Sequence, residues 1–514
     1  MLAICWQRSL HLIHGGNRFT MRHILRRAAY PACISHVYCS RRAATSPAFE
    51  MPPCNVQPQP YKGRPYEEVF AVRQRHLNPS LTSNLLYEKP LLIAQGHMQW
   101  LWDHTGKRYL DLFAGIVTVS VGHCHPKVVG AAEQQIKQLW HTSNIYMYPT
   151  IHEFAEKLTS RLPGDLKVCY FVNSGSEAND LAMMVARLYT GAFDIISLRN
   201  SYHGMSPYGA GLCGVGGYKH PIPSGFGIQH AMNADPYRGP WGGAECRDSP
   251  VQTTRSCDCR EECRAGVKYA EQVEDVLRHS VAQKRIAAFF AESIQGVGGT
   301  VQFPKNYLKK AYKLARDRGG LCIADEVQTG FGRLGDTYWG FETHGVVPDI
   351  VTMAKGIGNG FPLAAMVTTQ EIAKALNQAN FFNTFGGNPI ACAVGSAVLD
   401  VIDEDKCMEN CRVTGTHLLR ELAKLESEFD VVGDVRGKGL MIGIELVQDK
   451  EKKTPLALAE VKKVLEASRE MGLLLGRGGQ YGNVIRIKPP MCITKQDVDF
   501  SLAVLRKSLS DNAK

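Results

Sequence analysis

The chain has 514 residues and a formal net charge of +10, with 44% hydrophobic and 21% charged residues. That balance belongs to soluble globular proteins and excludes a disordered, collagen-like or disulfide-scaffold chain. No uncharged apolar run reaches the ~18 residues needed to span a bilayer, so no membrane partner is expected; the longest, 112–121, reads as buried strand or helix.

The charge is unevenly spread. Residues 1–49 hold Arg8, Arg18, Arg22, Arg26, Arg27, Arg41 and Arg42 with no Lys, Asp or Glu, so this arm carries +7 and the rest of the chain only +3. A basic body that would favour nucleic acid is absent. Acid-free, Arg-rich composition with Leu2, Ile4, Trp6, Leu10, Leu12 and Ile13 interleaved is what a mitochondrial transit peptide needs, and Arg8, His11, His14 and Arg18 break any secretory apolar core. We expect a transit peptide over 1–45 with processing near 40–45, the alternative being a basic tail with no address. The segment 51–65 is Pro-rich and reads as a linker or wrapping strand.

The body begins with short strands at 91–94, 97–102 and 108–112, then helical spacing at 126–140 and 151–162. After that, apolar strands (167–173, 195–198, 287–292, 321–325, 350–354, 364–368) alternate with amphipathic helices (177–189, 268–279, 304–318, 390–404). Continuously apolar strands between helices predict an α/β domain with a mainly parallel sheet covered on both faces. The Gly-rich stretch 204–243 predicts loop. From about 409 the pattern becomes a smaller α+β domain, with strands 431–435, 440–446 and 484–487 and a helix at 456–471. The expected division is 1–45 transit peptide, 46–120 N-terminal segment, 121–405 large domain and 406–514 C-terminal small domain.

The 16 cysteines are scattered, several in apolar strand-like runs, and fit a reducing interior. Cys246, Cys257, Cys259 and Cys263 differ, lying in a polar stretch. Four thiols are enough for zinc, but the spacing lacks paired C-x₂-C units, so a surface insertion with incidental thiols and no metal is expected.

Three segments carry chemistry. Ser174-Gly175-Ser176 follows an apolar strand and opens a helix, which makes either an anion cradle or a simple N-cap. It matches neither the P-loop nor the dinucleotide fingerprint. Asp325 and Glu326 end an apolar strand before a Gly-rich loop; acids there meet a cationic ring nitrogen or a metal, or merely cap and pair. Lys355 ends another apolar strand, before Gly356, Gly358 and Gly360. Apolar surroundings lower a lysine pKa and free the neutral amine to condense with a carbonyl, though most strand-end lysines only snorkel.

Taken together these pieces are recognisable. Ser174-Gly-Ser-Glu-Ala-Asn179, Tyr202-His203-Gly204, Glu292-x-Ile-Gln295-Gly296, Asp325-Glu-Val-Gln328-Thr-Gly330, Ala354-Lys355-Gly356, Asn383-Thr384-Phe-Gly-Gly-Asn-Pro389 and Val435-Arg436-Gly-Lys-Gly-Leu440 occur in one order. The sequence from about 90 to the C-terminus resembles the class III pyridoxal-phosphate aminotransferases, the group of the ornithine and 4-aminobutyrate enzymes. The resemblance implies the PLP-dependent transferase fold (fold type I), pyridoxal 5'-phosphate as cofactor, amino acids and 2-oxo acids as small-molecule partners, and a homodimer or homotetramer.

It also implies roles. Lys355 would bind the cofactor and then move the proton; Asp325 would pair with the ring nitrogen. Ser174, Gly175 and Ser176 would cradle the phosphate, with Tyr202 stacked on the ring and His203 beside it. Glu292 and Gln328 would line the ring's surroundings, and Thr384 would reach the partner subunit's phosphate. Arg436 would clamp the substrate carboxylate. Two departures stand out. The ornithine and 4-aminobutyrate enzymes carry a Glu after the Ile-Gln-Gly/Ser stretch that can mask this arginine, and here the residue is Val297. An unmasked arginine favours small amino acids with a near carboxylate: alanine, glyoxylate, pyruvate and short β-amino acids such as 3-aminoisobutyrate. Ser293 replaces the usual Pro, for which only an effect on loop stiffness is expected. The expected activity is therefore amino transfer from L-alanine to glyoxylate. The alternatives are another ω-amino-acid aminotransferase or a phosphoamine phospho-lyase.

Overall fold

The computed structural model describes residues 50–83, 86–223, 225–257, 259 and 262–512. The expected transit peptide, with its processing zone, lies outside them.

A seven-stranded sheet forms the centre. Its spatial order is Val168–Val172, Ala364–Thr368, Ile350–Met353, Leu321–Asp325, Ala288–Glu292, Ile195–Leu198 and Ile228–Ala231. Only Ala364–Thr368 runs antiparallel to its neighbours; the other pairings are parallel. The four innermost strands are buried at every position, which accounts for their uninterrupted apolar sequence. Separate apolar clusters fill the two faces: Leu181, Val185, Phe290 and Ile323 belong to one, and Tyr269, Val273, Phe289 and Tyr312 to another.

The helix Gly175–Thr190 shows how sequence sets these elements. Ser174 caps it, its Oγ accepting the Glu177 N–H at 3.2 Å, and Glu177 reaches back to the Asn173 N–H at 2.5 Å. Gly191 ends it in the left-handed conformation. Ala178, Leu181, Ala182, Val185 and Ala186 form the buried stripe.

Two further sheets complete the fold. Ile93–His97, Trp100–Asp103 and Arg108–Asp111 form an antiparallel meander joined by Leu473–Leu474 in parallel. Val432–Lys438, Met441–Asp449, Val484–Ile487 and Gly476–Gly478 form an antiparallel sheet in that order. Three sequence expectations are corrected. The stretch 97–102 is broken by a tight turn, with Met98 at φ 52°. The stretch 204–243 contains an edge strand, Ile228–Ala231, too short to show a period. The stretch 112–121 is neither regular strand nor helix beyond the single kinked turn Ala114–Val117.

Candidate active site

Parallel strands deliver their last residues to one edge, where ligands of open α/β sheets bind. Asp325 pairs in register with Glu292 on one side and with Thr352 on the other, and Lys355 follows Thr352 by three residues. The strand Ile195–Leu198 leads to Tyr202 and His203, and Val168–Val172 to the Ser174–Ser176 turn. A cavity of about 440 Å³ opens at this edge, walled by Gly175, Ser176, Asn179, Tyr202, His203, Glu292, Val297, Asp325, Gln328, Lys355, Arg477 and Arg486 among others.

Asp325 is buried and held by three contacts. Its Oδ2 accepts Asn179 Nδ2 at 3.0 Å and lies 2.8 Å from His203 Nδ1, while Oδ1 accepts the Val327 N–H at 3.0 Å. His203 Nε2 and Asn179 Oδ1 are buried without a protein partner. Glu292 accepts the N–H groups of Tyr202 (3.0 Å) and Gly296 (2.7 Å), and burial raises its pKa. Tyr202 packs edge-on against Tyr218 with ring centroids 4.8 Å apart. Burial pushes its hydroxyl up to about 12, so it remains a neutral ring.

Lys355 has a strained left-handed backbone, φ 51°. Burial lowers its pKa to about 8, against the pull of Asp325 and with help from Arg486. Gly204 shows why the loop facing it is glycine-rich. It sits at φ 109°, and a Cβ there would lie 2.3 Å from Ser176 Oγ.

The structure separates the remaining expected residues. Gly175 and Ser176 line the cavity, but Ser174 does not: it is exposed and its side chain is spent on the helix cap. Thr384 is not on the cavity wall either; it lies exposed on the loop before the helix Pro389–Glu404. Gln328 lines the cavity and accepts Arg486 Nη2 and Lys488 Nζ, each at 3.1 Å.

Arg436 as a substrate clamp needs correction. It is buried, and its Nη1 contacts Glu445 Oε2 at 2.6 Å and Asp434 Oδ2 at 2.8 Å. Its Nε donates to the Gly299 carbonyl at 2.9 Å. Burial works against its charge, but the two carboxylates hold its pKa above the ordinary value. It borders a different cavity, with Asn200 and Tyr481, and braces the turn carrying Val297 from behind. Two guanidinium groups line the Lys355 cavity, those of Arg477 and Arg486, and Arg486 is the one in a fully buried strand. Among the described residues no carboxylate pairs with it, and burial lowers its pKa to about 10, still cationic at neutral pH.

Sequence reasoning assigned no role to Asn179, Arg477, Arg486 or Lys488. A readable signal existed for one of them: Arg486 stands between Ile485 and Ile487 in a strand buried throughout. Ser293 also does more than adjust stiffness. Its hydroxyl donates to buried Glu326 at 2.5 Å, joining Thr329 and the Gly340 and Phe341 N–H groups there.

The arrangement therefore combines a buried amine of lowered pKa, a hydrogen-bonded carboxylate, the N-terminus of a helix and two guanidinium groups on one cavity wall. Aminotransferase class-III matches residues 85–509. The chain belongs to that family, whose members depend on pyridoxal phosphate. The human mitochondrial alanine–glyoxylate aminotransferase 2 is 57% identical over 464 residues, covering 90% of each chain. An (S)-enantioselective ω-transaminase from Thermomicrobium roseum superimposes with a TM-score of 0.78 at 33% identity, over 87% of this chain and 99% of that one. A phospholyase from Arthrobacter, solved with phosphoethanolamine, gives 0.76 at 32% identity over 86% and 99%.

Proposed function

We propose that this chain transfers the amino group of L-alanine to glyoxylate, giving pyruvate and glycine, and accepts short β-amino acids such as 3-aminoisobutyrate with pyruvate. The observation that carries the reading is Arg486, a buried guanidinium without a carboxylate partner on the same cavity wall as Lys355. With Val297 beside it rather than an acid, Arg486 is always free to take a carboxylate next to the reacting carbon. Alanine, pyruvate and glyoxylate each present that group and little else.

The residues fit pyridoxal phosphate. His203 Nε2 and Asn179 Oδ1 are buried without a protein partner, beside a carboxylate suited to a protonated ring nitrogen. Gly175, Ser176 and the start of a 16-residue helix suit its phosphate. Tyr202 offers a flat neutral ring, and Gln328 a polar group at the ring's edge. When bound, the cofactor supplies an electron sink that lets the amino acid's α-hydrogen leave as a proton. Lys355 would hold it, and the neutral Lys355 amine would take that proton from the substrate carbon and hand it back two atoms away, across the nitrogen. Asp325, fixed by three hydrogen bonds, would keep the ring nitrogen protonated. Glu292, kept in place by two backbone N–H groups, shapes the wall beside the ring.

Thr384 serves a second copy in this reading. An exposed apolar band supports a homodimer: Trp140, Ile145, Met147, Phe382 and Phe385 are each more than half exposed, and His141 packs on Phe385 at 5.6 Å. The basic arm and the human relative's mitochondrial name support a mitochondrial address.

The test is a pair of half-reactions. Purified enzyme given L-alanine alone should lose its yellow colour and release one pyruvate per site; glyoxylate should then restore the colour and release glycine. Arg477 is a second guanidinium on the wall and favours one rival reading, a phospho-lyase that holds a substrate phosphate. Release of inorganic phosphate from phosphoethanolamine, with no pyruvate from alanine, would establish the rival instead.

A further inference from the structure

The four thiols that looked incidental in sequence come together in space. Cys246 Sγ lies 3.3 Å from Cys257 Sγ and 3.6 Å from Cys259 Sγ, and Cys259 Sγ lies 3.8 Å from Cys263 Sγ. The first three sulfurs are all within 4.8 Å of one another. Four sulfurs at about 2.3 Å from one tetrahedral zinc stand about 3.8 Å apart; the three contacts fall close to that spacing, and Cys263, outside the mutually close three, reaches the cluster through Cys259. Thiols that merely shared a surface loop would turn to water or to separate apolar pockets.

The surroundings suit thiolates. Cys263 is the N-cap residue of the helix Arg264–His279, so the positive end of that helix lies beside the cluster, and the Ala265 and Gly266 N–H groups favour the Cys263 thiolate. The Cys259 N–H donates to Cys257 Sγ at 3.3 Å. A zinc ion with four thiolates carries a net charge of about −2. Arg255, Arg264 and Lys268 line the same pocket as Cys257 and Cys259 and offset that charge.

The location gives the cluster a purpose. Among the described residues from 232 to 263 none lies in a helix or strand, yet Arg247 and Ser249 tie the segment to the sheet that contains Val432–Lys438. Arg247, next to Cys246, is fully buried and makes a bidentate pair with Asp434 at 2.9 and 2.8 Å. Ser249 Oγ donates to the Gly437 carbonyl at 2.7 Å. Asp434 is also a partner of Arg436, which holds the Val297 turn. Cys246 enters the loop and Cys263 leaves it, so joining them fixes both ends of the strut behind the active-site wall.

We propose that Cys246, Cys257, Cys259 and Cys263 bind one structural zinc ion, which staples this loop and braces the Arg247–Asp434–Arg436 network. Binding displaces the thiol protons to solvent and changes no oxidation state. The test uses the full-length holoenzyme, purified with a non-thiol reductant and passed through EDTA. Elemental analysis should find about one zinc per chain. Cys257→Ser and Cys263→Ser should each reduce it to a tenth or less. Protein produced with Co²⁺ in place of zinc should show tetrahedral thiolate ligand-field bands to the red of the cofactor's absorption; this wild-type readout stands even where a variant fails to fold. Two results would overturn the proposal. One is wild-type protein that stays metal-free after incubation with zinc chloride while its thiols react freely. The other is a Cys246–Cys257 disulfide in the unreduced peptide map with zinc absent.

Discussion

Arg436 and Arg486 occupy one row of the C-terminal antiparallel sheet, flanking Gly443: Arg436 pairs with Gly443 from one side and Arg486 from the other. Which of them meets substrate is decided by neighbours two residues away, since residues i and i+2 share a strand face. Arg436 has Asp434 there and Glu445 across the row, so its charge is spent. Arg486 has Lys488, whose pKa burial pushes well down, and no acid. The resemblance implies a clamp at Arg436, but Asp434 two residues before it is the sequence clue that its charge is paired. Arg486→Met should raise the KM for alanine by roughly 10- to 100-fold, the worth of a charge-assisted pair. Arg436→Met should instead cost about 3–5 kcal/mol of stability, as breaking a buried ion pair does. Steady-state kinetics beside chemical denaturation separates the two, and the reverse pattern would return the clamp to Arg436. Lys355 allows a second check at this scale. Its neutral amine is the reactive form, and its pKa is about 8 because of burial. Capture of pyridoxal phosphate by the apoenzyme should therefore accelerate with pH and level off above about pH 8. A rate still climbing past pH 10 would indicate an ordinary lysine.

At the scale of elements, the inner strands were legible because burial on both faces leaves one apolar run per strand, and their ends could be read from Asp325 and Lys355. The edge strand Ile228–Ala231 was not legible: it has four residues, with a Gly-rich approach and only one fully buried position. Also hidden was the hairpin formed by Ile294–Gln295 and Val301–Gln302, whose strands are two residues long. That hairpin matters because its turn puts Val297 into the cavity while Arg436 grips Gly299 behind it. The contrast with acid-bearing relatives then becomes a prediction about a loop rather than a single contact. Val297→Glu would place a carboxylate beside Arg486. The KM for alanine should rise about tenfold, close to 1.4 kcal/mol, with a relative gain for longer ω-amino acids. Unchanged preference across a donor series would show that the turn does not set specificity.

For the whole molecule, the net charge of +10 turns out to describe mostly an arm, and the working surface is nearly neutral. The class of fold could be read from alternating strands and helices, but contacts between distant segments could not. The gathered thiols and the Arg247–Asp434 pair, 187 residues apart in sequence, are cases of this. Assembly is also a whole-molecule property, and Thr384 makes it testable. Lys355→Ala and Thr384→Glu chains, refolded together, should regain about a quarter of wild-type activity, because half the dimers are mixed and each has one intact site. Activity no greater than that of the separate variants would remove Thr384 from the partner's site. In the proposed function Lys355 is the residue that moves the proton. The most direct measurement is single-turnover release of pyruvate from L-alanine by Lys355→Ala, loaded with cofactor and shown to be folded. The rate should fall by about 10²–10⁴-fold relative to wild type. Pyruvate release at the wild-type rate would contradict the account.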